Sequence, residues 1–171
     1  MTTHLGVWRD FTNKFLRDSA VDLYKANDVL EVGPEDAGSL APALWPHARV
    51  HLMDKMHYEG ITVIGDLTQP YALPRRVADV VIAINVLEHT KDPFTAAEGL
   101  WMLTKACGVV LVATPLNIGT HYPDPDAWRF MAAGLQILFN SRWWRLRSMT
   151  ECSTVDRPGF PVGYTLIAEA K

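Results

Sequence analysis

Polar side chains directly follow the most apolar short segment of this chain. Residues 80–84 are all apolar, without alternation, as expected of a parallel strand that is buried on both faces. Asn85, Glu88 and His89 come immediately after that strand. Because open α/β sheets bind ligands outside the carboxyl ends of their strands, we expect this segment to line a binding site.

His121 is the leading candidate for acid–base chemistry. An imidazole with a pKa near ~6.5 can accept a hydroxyl proton, and the aromatic and carboxylate residues around His121 suit a sugar ring. His89 is the second candidate base, and its alternative role is to pack against and cap the adjoining helix. His121, Asp124 and Asp126 could together bind a divalent cation, but their spacing matches no metal signature and we predict no metal site.

The segment from Gly33 to Gly38 reads G-x-E-x-x-G and follows a predicted strand. A dinucleotide fingerprint requires a glycine where Glu35 stands, because that glycine lets the backbone approach a pyrophosphate. The incomplete fingerprint disfavours a nicotinamide-dependent oxidoreductase.

Strands and helices alternate along the chain, which indicates an α/β fold. The predicted elements are a helix over about 8–25, a strand at 29–32, a helix at 39–45, strands at 49–53, 61–64 and 79–84, a helix from 93 to near Gly108, a strand at 109–114, a helix over about 132–140 and strands at 144–152 and 162–170. The last two strands predict a hairpin that closes a mostly parallel sheet. Residues 115–127 predict a long ordered loop over the sheet edge.

Composition limits the kind of protein. A chain of 171 residues with 49% hydrophobic and 20% charged residues fits one soluble globular domain. The net charge of −3 gives no electrostatic footprint for nucleic acid. Cys107 and Cys152 are isolated in the sequence and fit a reducing compartment. The alternative is one disulfide between these two distant residues. With no signal peptide and no membrane-spanning run in the sequence, we expect a cytoplasmic protein with no membrane partner.

Two segments carry a resemblance to a known family. Residues 78–89, with Leu-Glu-His after an apolar run, resemble the fourth-strand motif of class I S-adenosylmethionine-dependent methyltransferases. Residues 29–38 resemble the first-strand motif of that family, hydrophobic-E-x-G-x-G-x-G, which Glu31 and Gly33 match. Glu35 and Ala37 replace the second and third glycines, and the bulkier Glu35 is expected to narrow the loop and reduce the affinity for the cofactor.

A third segment is similar to small methyltransferases (type 11/23-like) of cell-surface polysaccharide and natural-product pathways. Residues 126–130 keep the Trp-Arg-Phe core of their H-x-x-P-x-D-[YF]-W-R-[FY]-[TS] pattern, while Met131 replaces the usual threonine or serine. The alternative reading is that Trp128, Arg129 and Phe130 only attach the loop to the sheet.

The resemblance implies a fold and a division of the chain. It implies a Rossmann-like seven-stranded sheet with strand order 3-2-1-4-5-7-6, strand 7 antiparallel, flanked by helices. We expect residues 1–171 to form a single domain, with an N-terminal helix in 1–27, a cofactor-binding half in 28–114 and an acceptor-side half in 115–171.

The resemblance also implies S-adenosyl-L-methionine as the cofactor and assigns residues to it. Asp54 would accept hydrogen bonds from the ribose hydroxyls and Asp66 from the adenine amino group, with the backbone amide of Leu67 facing the ring. The complete set of implied cofactor-binding residues is Glu31, Gly33, Gly38, Asp54, Lys55, Asp66, Leu67, Asn85 and Leu87.

The leading functional hypothesis is therefore methyl transfer, in which an O-methyl ether forms on a sugar-like or other small polyhydroxylated acceptor. The expected partner is a small molecule or glycan, and a second subunit in a homodimer is the alternative way to complete a shallow site. The competing hypothesis is a catalytically silent binding module with the methyltransferase fold, supported by the altered glycine loop.

Overall fold

The computed structural model of the chain describes residues 4–34, 38–120, 125–154 and 159–171. The helices are α1 (His4–Asp22), α2 (Ala41–Leu44), α3 (Pro93–Leu103) and α4 (Ala132–Phe139). The strands are β1 (Asp28–Val32), β2 (Arg49–Asp54), β3 (Val63–Ile64), β4 (Ala78–Ile84), β5 (Thr104–Pro115), β6 (Trp144–Cys152) and β7 (Gly163–Ala170). Short 3-10 turns lie at Pro70–Ala72 and Leu87–His89.

The seven strands form one sheet in the order β3-β2-β1-β4-β5-β7-β6. Strands β1 to β5 pair in parallel, and β7 lies antiparallel between β5 and β6. The fold and strand order implied by the family resemblance are confirmed. The chain places β2 and then β3 on one side of β1, and it places β4 and then β5 on the other side. The crevice at this reversal is where open α/β sheets bind ligands.

The central strands are buried on both faces because helices cover the sheet from both sides. Alternate residues of β1 show the division, since Leu30 belongs to a core cluster with α3 and α4 while Val29 belongs to one with α1 and α2. Both residues are completely buried. An uninterrupted apolar sequence is the expected pattern for such strands.

The boundary between α3 and β5 differs from the sequence-based prediction. We expected the helix to continue to near Gly108, but α3 ends at Leu103 and β5 begins at Thr104. Thr104 pairs with Ala78 in the sheet, and Lys105 forms ion pairs with Asp28 and Asp79. These long-range contacts extend the strand, and an irregularity in the pairing of β4 with β5 absorbs the extra residues.

Other element ends also shift. α1 begins at His4, before the predicted start near residue 8, and ends at Asp22, before the predicted end near residue 25. β3 has only two residues, Val63–Ile64, and α2 is limited to Ala41–Leu44. The predicted strand at 144–152 matches β6 at both ends.

Within the described ranges, no helix combines the length and the hydrophobicity that crossing a membrane requires.

Candidate functional site

A cavity of about 840 Å³ lies at the carboxyl ends of the five parallel strands. Its lining residues come from the turns after these strands and from the first helix: Leu5, Trp8, Val32, Gly33, Pro34, Asp54, Lys55, Met56, Tyr58, Gly65, Asp66, Leu67, Thr68, Gln69, Ile84, Asn85, Val86, His89, Thr90, Lys91, Pro115, Ile118 and Pro125. The volume is sufficient for a ligand of cofactor size.

The strand order sets the sequence of side chains along this cavity. Asp66 follows β3, Asp54 ends β2, Gly33 follows β1, Asn85 follows β4 and Pro115 ends β5. Because neighbouring strands are about 4.8 Å apart, these positions form a row of about 19 Å. An elongated ligand lying across the strand ends would meet the two carboxylates first and Asn85 later.

The two aspartates are oriented by the turns in which they lie. The Asp54 Oδ1 accepts the backbone N–H of Met56 at 2.8 Å, and the Tyr58 hydroxyl lies 3.4 Å from Asp54 Oδ2. The Asp66 Oδ1 accepts both the backbone N–H of Thr68 at 2.8 Å and the hydroxyl of Thr68 at 2.7 Å. The bonds to Thr68 do not involve Asp66 Oδ2. These turns present carboxylate oxygens to the cavity without using an ion pair among the described residues.

Gly33 is required by the geometry of the first turn. Its φ of +61° lies in the left-handed region, and a Cβ at this position would lie 3.1 Å from Val86 Cγ2. Its N–H donates to the carbonyl of Met53 at 2.9 Å. The glycine therefore lets the turns after β1 and β4 approach each other at the switch in strand order.

Asn85 also has a left-handed backbone, with φ +55°. Its N–H donates to the carbonyl of Ala113 at 3.0 Å, and its side-chain Oδ1 accepts the indole N–H of Trp8 at 2.9 Å. Trp8 lies on α1 and was absent from the sequence-based site. Nothing local in the sequence signals this pair, because the two residues are 77 positions apart.

The predicted cofactor residues divide into two groups. Six of them line the cavity: Gly33, Asp54, Lys55, Asp66, Leu67 and Asn85. Glu31, Gly38 and Leu87 are not among the lining residues. The Ser39 hydroxyl donates to Glu31 Oε2 and accepts the N–H of Ala41, which connects Glu31 to the start of α2. Leu87 is fully buried in the core, and Gly38 is exposed with φ +94°.

His89 lines the cavity and also contacts the loop after β5. Its Nδ1 lies 3.0 Å from the carbonyl oxygen of Pro125. The alternative prediction, a role in packing and capping, therefore has a contact to support it, but with the loop rather than with α3. His121, the first candidate base, and Asp124 lie outside the described residues.

The Trp-Arg-Phe segment attaches that loop to the turn after β4. The Trp128 indole N–H donates to the carbonyl of Thr90 at 2.8 Å, and Phe130 is buried in the core. The Arg129 guanidinium bonds both oxygens of Asp126 and lies 3.3 Å from the carbonyl of Ile118. These contacts agree with the alternative that the segment attaches the loop to the sheet.

Glu88 belongs to the segment after β4 that was expected to line a binding site, but unlike Asn85 and His89 it is not among the residues that line the cavity. It is completely inaccessible to solvent, and burial raises the pKa of its carboxyl group to about 8. Nearby Asp126 also raises this pKa, whereas Arg129 lowers it. Its backbone carbonyl accepts the N–H of Ala127 at 2.8 Å, so Glu88 lies directly beneath the loop. The sequence signal for Glu88 was its place between Leu87 and His89 in the segment after β4.

No cluster of three or more histidine, cysteine or acidic side chains suited to a metal ion occurs within 4–34, 38–120, 125–154 and 159–171. Asp126 belongs to the ion pair with Arg129. A metal site that includes His121 and Asp124 would involve residues outside these ranges.

Comparison with known proteins finds similarity to solved structures but not to family models or curated sequences. No protein-family model and no curated protein sequence matches the chain. The N-methyltransferase NodS from Bradyrhizobium japonicum WM9, in complex with S-adenosyl-L-homocysteine, is 14% identical with a TM-score of 0.64, over 92% of this chain and 86% of NodS. An S-adenosylmethionine-dependent methyltransferase from Archaeoglobus fulgidus is 15% identical with a TM-score of 0.66, over 94% of each chain. The [4+2]-cyclase SpnF is 12% identical with a TM-score of 0.66, over 91% and 80%.

Proposed function

From the premise that this chain has the class I methyltransferase fold, we propose that it is an S-adenosylmethionine-dependent methyltransferase. The strand order and the similarity to solved methyltransferases support this proposal. NodS was crystallised with S-adenosylhomocysteine, the product that the cofactor becomes after it loses its methyl group.

The observation that carries the proposal is the order of polar groups along the cavity. Asp66 and Asp54 provide hydrogen-bond acceptors for the amino group of an adenine and the hydroxyls of a ribose. Gly33 then allows close backbone approach at the next strand, where the methionine portion of the cofactor would lie. The protein would mainly align the sulfonium with the acceptor, because the methyl group is already activated.

The proposed acceptor is a hydroxyl group of a sugar-like or other small polyhydroxylated molecule. Formation of an O-methyl ether requires removal of the hydroxyl proton, which His121 would accept, with His89 as the second candidate. Trp128, 39% exposed on the loop, offers an aromatic face of the kind that packs against sugar rings.

Calorimetry with S-adenosylhomocysteine, S-adenosylmethionine and NAD tests the cofactor. We expect the first two to bind with one site per chain and NAD to give no heat. In a parallel thermal-shift series, a ligand at 100 times its dissociation constant stabilises by ~2.7 kcal/mol, a rise of roughly 5–10 °C for a chain of this size.

The second candidate function is a silent binding module with the same fold. Glu35 and Ala37 occupy positions where the family motif has glycines, and SpnF, described as a cyclase, has a similar fold. Absence of binding by both S-adenosyl ligands at millimolar concentration would favour this second candidate over the first.

The catalytic base is tested by methyl transfer from labelled S-adenosylmethionine to a polyhydroxylated acceptor. His121→Ala should reduce turnover by ~10²–10⁴-fold with little change in cofactor affinity, and the wild-type rate should fall as pH drops through the imidazole pKa. His47→Ala is the matched control, because His47 is exposed and does not line the cavity. Full turnover by His121→Ala would transfer the assignment to His89.

The proposal also includes the setting of the protein: a cytoplasmic enzyme with a small-molecule or glycan acceptor and no nucleic-acid or membrane partner. Leu5 and Met56 line the cavity but are 62% and 64% exposed, which would suit an acceptor or a second copy of the chain in a homodimer. Size-exclusion chromatography with light scattering distinguishes a monomer from a dimer.

A further inference from the structure

The hydrogen bond between Trp8 and Asn85 joins the first helix to the carboxyl end of β4. Trp8 is 2% exposed, and its ring packs so closely on β7 that a Cβ at Gly163 would lie 2.6 Å from it. The indole is therefore held by the sheet, and its N–H is fixed where it meets Asn85 Oδ1 at 2.9 Å.

This bond determines which way the Asn85 amide faces. The indole nitrogen of tryptophan can only donate, so the amide atom bonded to it must be the oxygen. The amide nitrogen lies on the other branch of the group and carries two hydrogens. It can donate one to a ligand even while the other makes a different contact. Trp8 thus makes Asn85 a hydrogen-bond donor toward any ligand that it touches in the cavity.

The position of this donor indicates the ligand group that it would meet. Asp66 and Asp54, both acceptors, lie at the β3 and β2 end of the cavity, where adenosine has hydroxyl and amino donors. Asn85 lies one strand beyond Gly33 in the sheet order, and a Cβ on Gly33 would lie 3.1 Å from Cγ2 of Val86, the residue after Asn85. The methionine portion of the cofactor would lie there, and its carboxylate is the strong acceptor that an amide nitrogen complements.

The left-handed backbone of Asn85 supports a role at the site. A φ of +55° is unfavourable for most residues but tolerated by asparagine, and such strain concentrates at ligand sites. A neutral donor would also be useful here because Glu35 adds a negative charge to the glycine loop in the sequence. An amide attracts the ligand carboxylate without requiring a cation.

We propose that Trp8 is a positioning residue that orients the Asn85 amide, whose nitrogen binds the carboxylate of the methionine portion of the cofactor. The inference rests on the proposed function, and it concerns one part of the ligand only. The adenosine portion would be bound independently by Asp54 and Asp66.

Two ligands separate these contributions. S-adenosylhomocysteine has the amino acid carboxylate, whereas 5′-methylthioadenosine has the same adenosine and thioether but lacks the amino acid. Asn85→Asp is the best variant, because aspartate also tolerates a left-handed backbone and can accept from Trp8, but it presents a negative charge to the ligand. By calorimetry we expect ~10–100-fold weaker binding of S-adenosylhomocysteine and less than a twofold change for methylthioadenosine.

Trp8→Phe tests the positioning role, because phenylalanine keeps an aromatic ring and removes the donor. We expect ~3–10-fold weaker binding of S-adenosylhomocysteine, and again no change for methylthioadenosine. Trp45→Phe is the matched control, since Trp45 is also fully buried and loses an indole bond, to the Leu23 carbonyl, away from the cavity. Neither ligand should respond to it.

The results separate this inference from the proposed function. Equal weakening of both ligands by Asn85→Asp, or no change in either, overturns the inference, because the amide would then only shape the pocket or not touch the ligand. A wild-type protein that binds neither ligand overturns the proposed function itself. If Trp8→Phe does not fold, as judged by circular dichroism, Asn85→Asp decides the inference alone.

Discussion

The two ends of the parallel strands carry acidic residues in opposite environments. At the amino end, Asp28 begins β1 and Asp79 lies in β4, and both accept hydrogen bonds from Lys105, at 2.6 and 2.9 Å. Arg49 adds a 2.7 Å ion pair to Asp28, and Asp79 accepts the backbone N–H groups of Asn27 and Asp28. Each carboxylate at this end has a cation beside it.

At the carboxyl end the two aspartates that line the cavity are arranged differently. No ion pair joins Asp54 or Asp66 to a cation in the described part of the chain, and both line the cavity. Glu88, one turn beyond β4, is buried. The acidic residues at the amino end are held in ion pairs, whereas Asp54 and Asp66 at the carboxyl end line the cavity.

The pKa values show the same contrast. Hydrogen bonds from Arg49 and then Lys105 lower the pKa of Asp28 to about 2. Burial alone would raise the pKa of Asp79, but the bonds from Lys105 and the backbone outweigh it and lower the value. Burial raises the pKa of Glu88 to about 8. The amino end therefore loses stability in acid, whereas the contribution of Glu88 is lost as pH rises from about 4.5 through about 8.

The largest expected effect is a gain of stability in Glu88→Gln. The folded protein favours the neutral carboxyl group of Glu88. The contribution of this group to the free energy of unfolding is therefore complete below its unfolded pKa near 4.5 and is lost as pH rises through about 8. At pH 7 this amounts to about 3 kcal/mol, at ~1.4 kcal/mol per pKa unit. Glutamine removes the titration, so the free energy of unfolding in urea should rise by about that amount at pH 7 and little at pH 4.

The matched control for that experiment is Glu59→Gln, because Glu59 is exposed. Its free energy of unfolding should stay within about 0.5 kcal/mol of the wild-type value, as is usual for an exposed substitution. A Glu88→Gln protein that is less stable than the wild type at every pH would show that the carboxyl group makes hydrogen bonds that glutamine cannot replace.

The next effect concerns ligand affinity at the carboxyl end. Asp54→Ala should weaken S-adenosylhomocysteine binding by ~1.5–3 kcal/mol, or about 10–150-fold, because hydrogen bonds from the ribose to a charged acceptor are lost. Calorimetry measures the change. Asp18→Ala, which removes an exposed carboxylate of α1, serves as the control and should bind like the wild type. Unchanged affinity in a folded Asp54→Ala protein would remove Asp54 from the site.

Asp28→Asn should give the converse result at the amino end. The free energy of unfolding should fall by about 2 kcal/mol at neutral pH, since bonds between charged partners are weakened. Because the folded pKa of Asp28 is depressed, the difference from the wild type should shrink as pH falls from 4 through 2. Affinity for S-adenosylhomocysteine should not change. A loss of affinity without a loss of stability would contradict the division of roles between the two ends.

The smallest effect is expected for Glu35→Gly, which restores the glycine of the family motif. Removing a negative charge from the segment that follows Gly33 in the sequence should preserve affinity for S-adenosylhomocysteine or improve it by a few-fold in calorimetry at low salt. Collapse of binding in this variant would mean that Glu35 contacts the ligand directly.

Local sequence patterns predicted the ends of helices and strands correctly where the pairing of strands in the sheet favoured the same ends. The β6 strand has the predicted ends, and the apolar run before Asn85 forms a central strand. The end of α3 was mispredicted because Thr104 is drawn into the sheet by its pairing with Ala78. The sequence pattern contained no information about that partner.

The site divides in the same way. The resemblance to the methyltransferase motifs implied Gly33, Asp54, Asp66 and Asn85, and all four line the cavity because parallel strands bring their carboxyl ends to one edge. Trp8 was not implied, since its contact with Asn85 depends on how α1 packs against the sheet. The burial of Glu88 likewise follows from the loop that lies over it.

The sequence by itself determined the α/β order of elements, the strands and the positions of polar residues after them, because hydrophobic periodicity and turn residues act over short distances. Only the tertiary structure decided which of these residues face the cavity, which acid is ion-paired and which is buried. Those properties depend on contacts between segments far apart in the chain, such as Lys105 with Asp28 and Trp8 with Asn85.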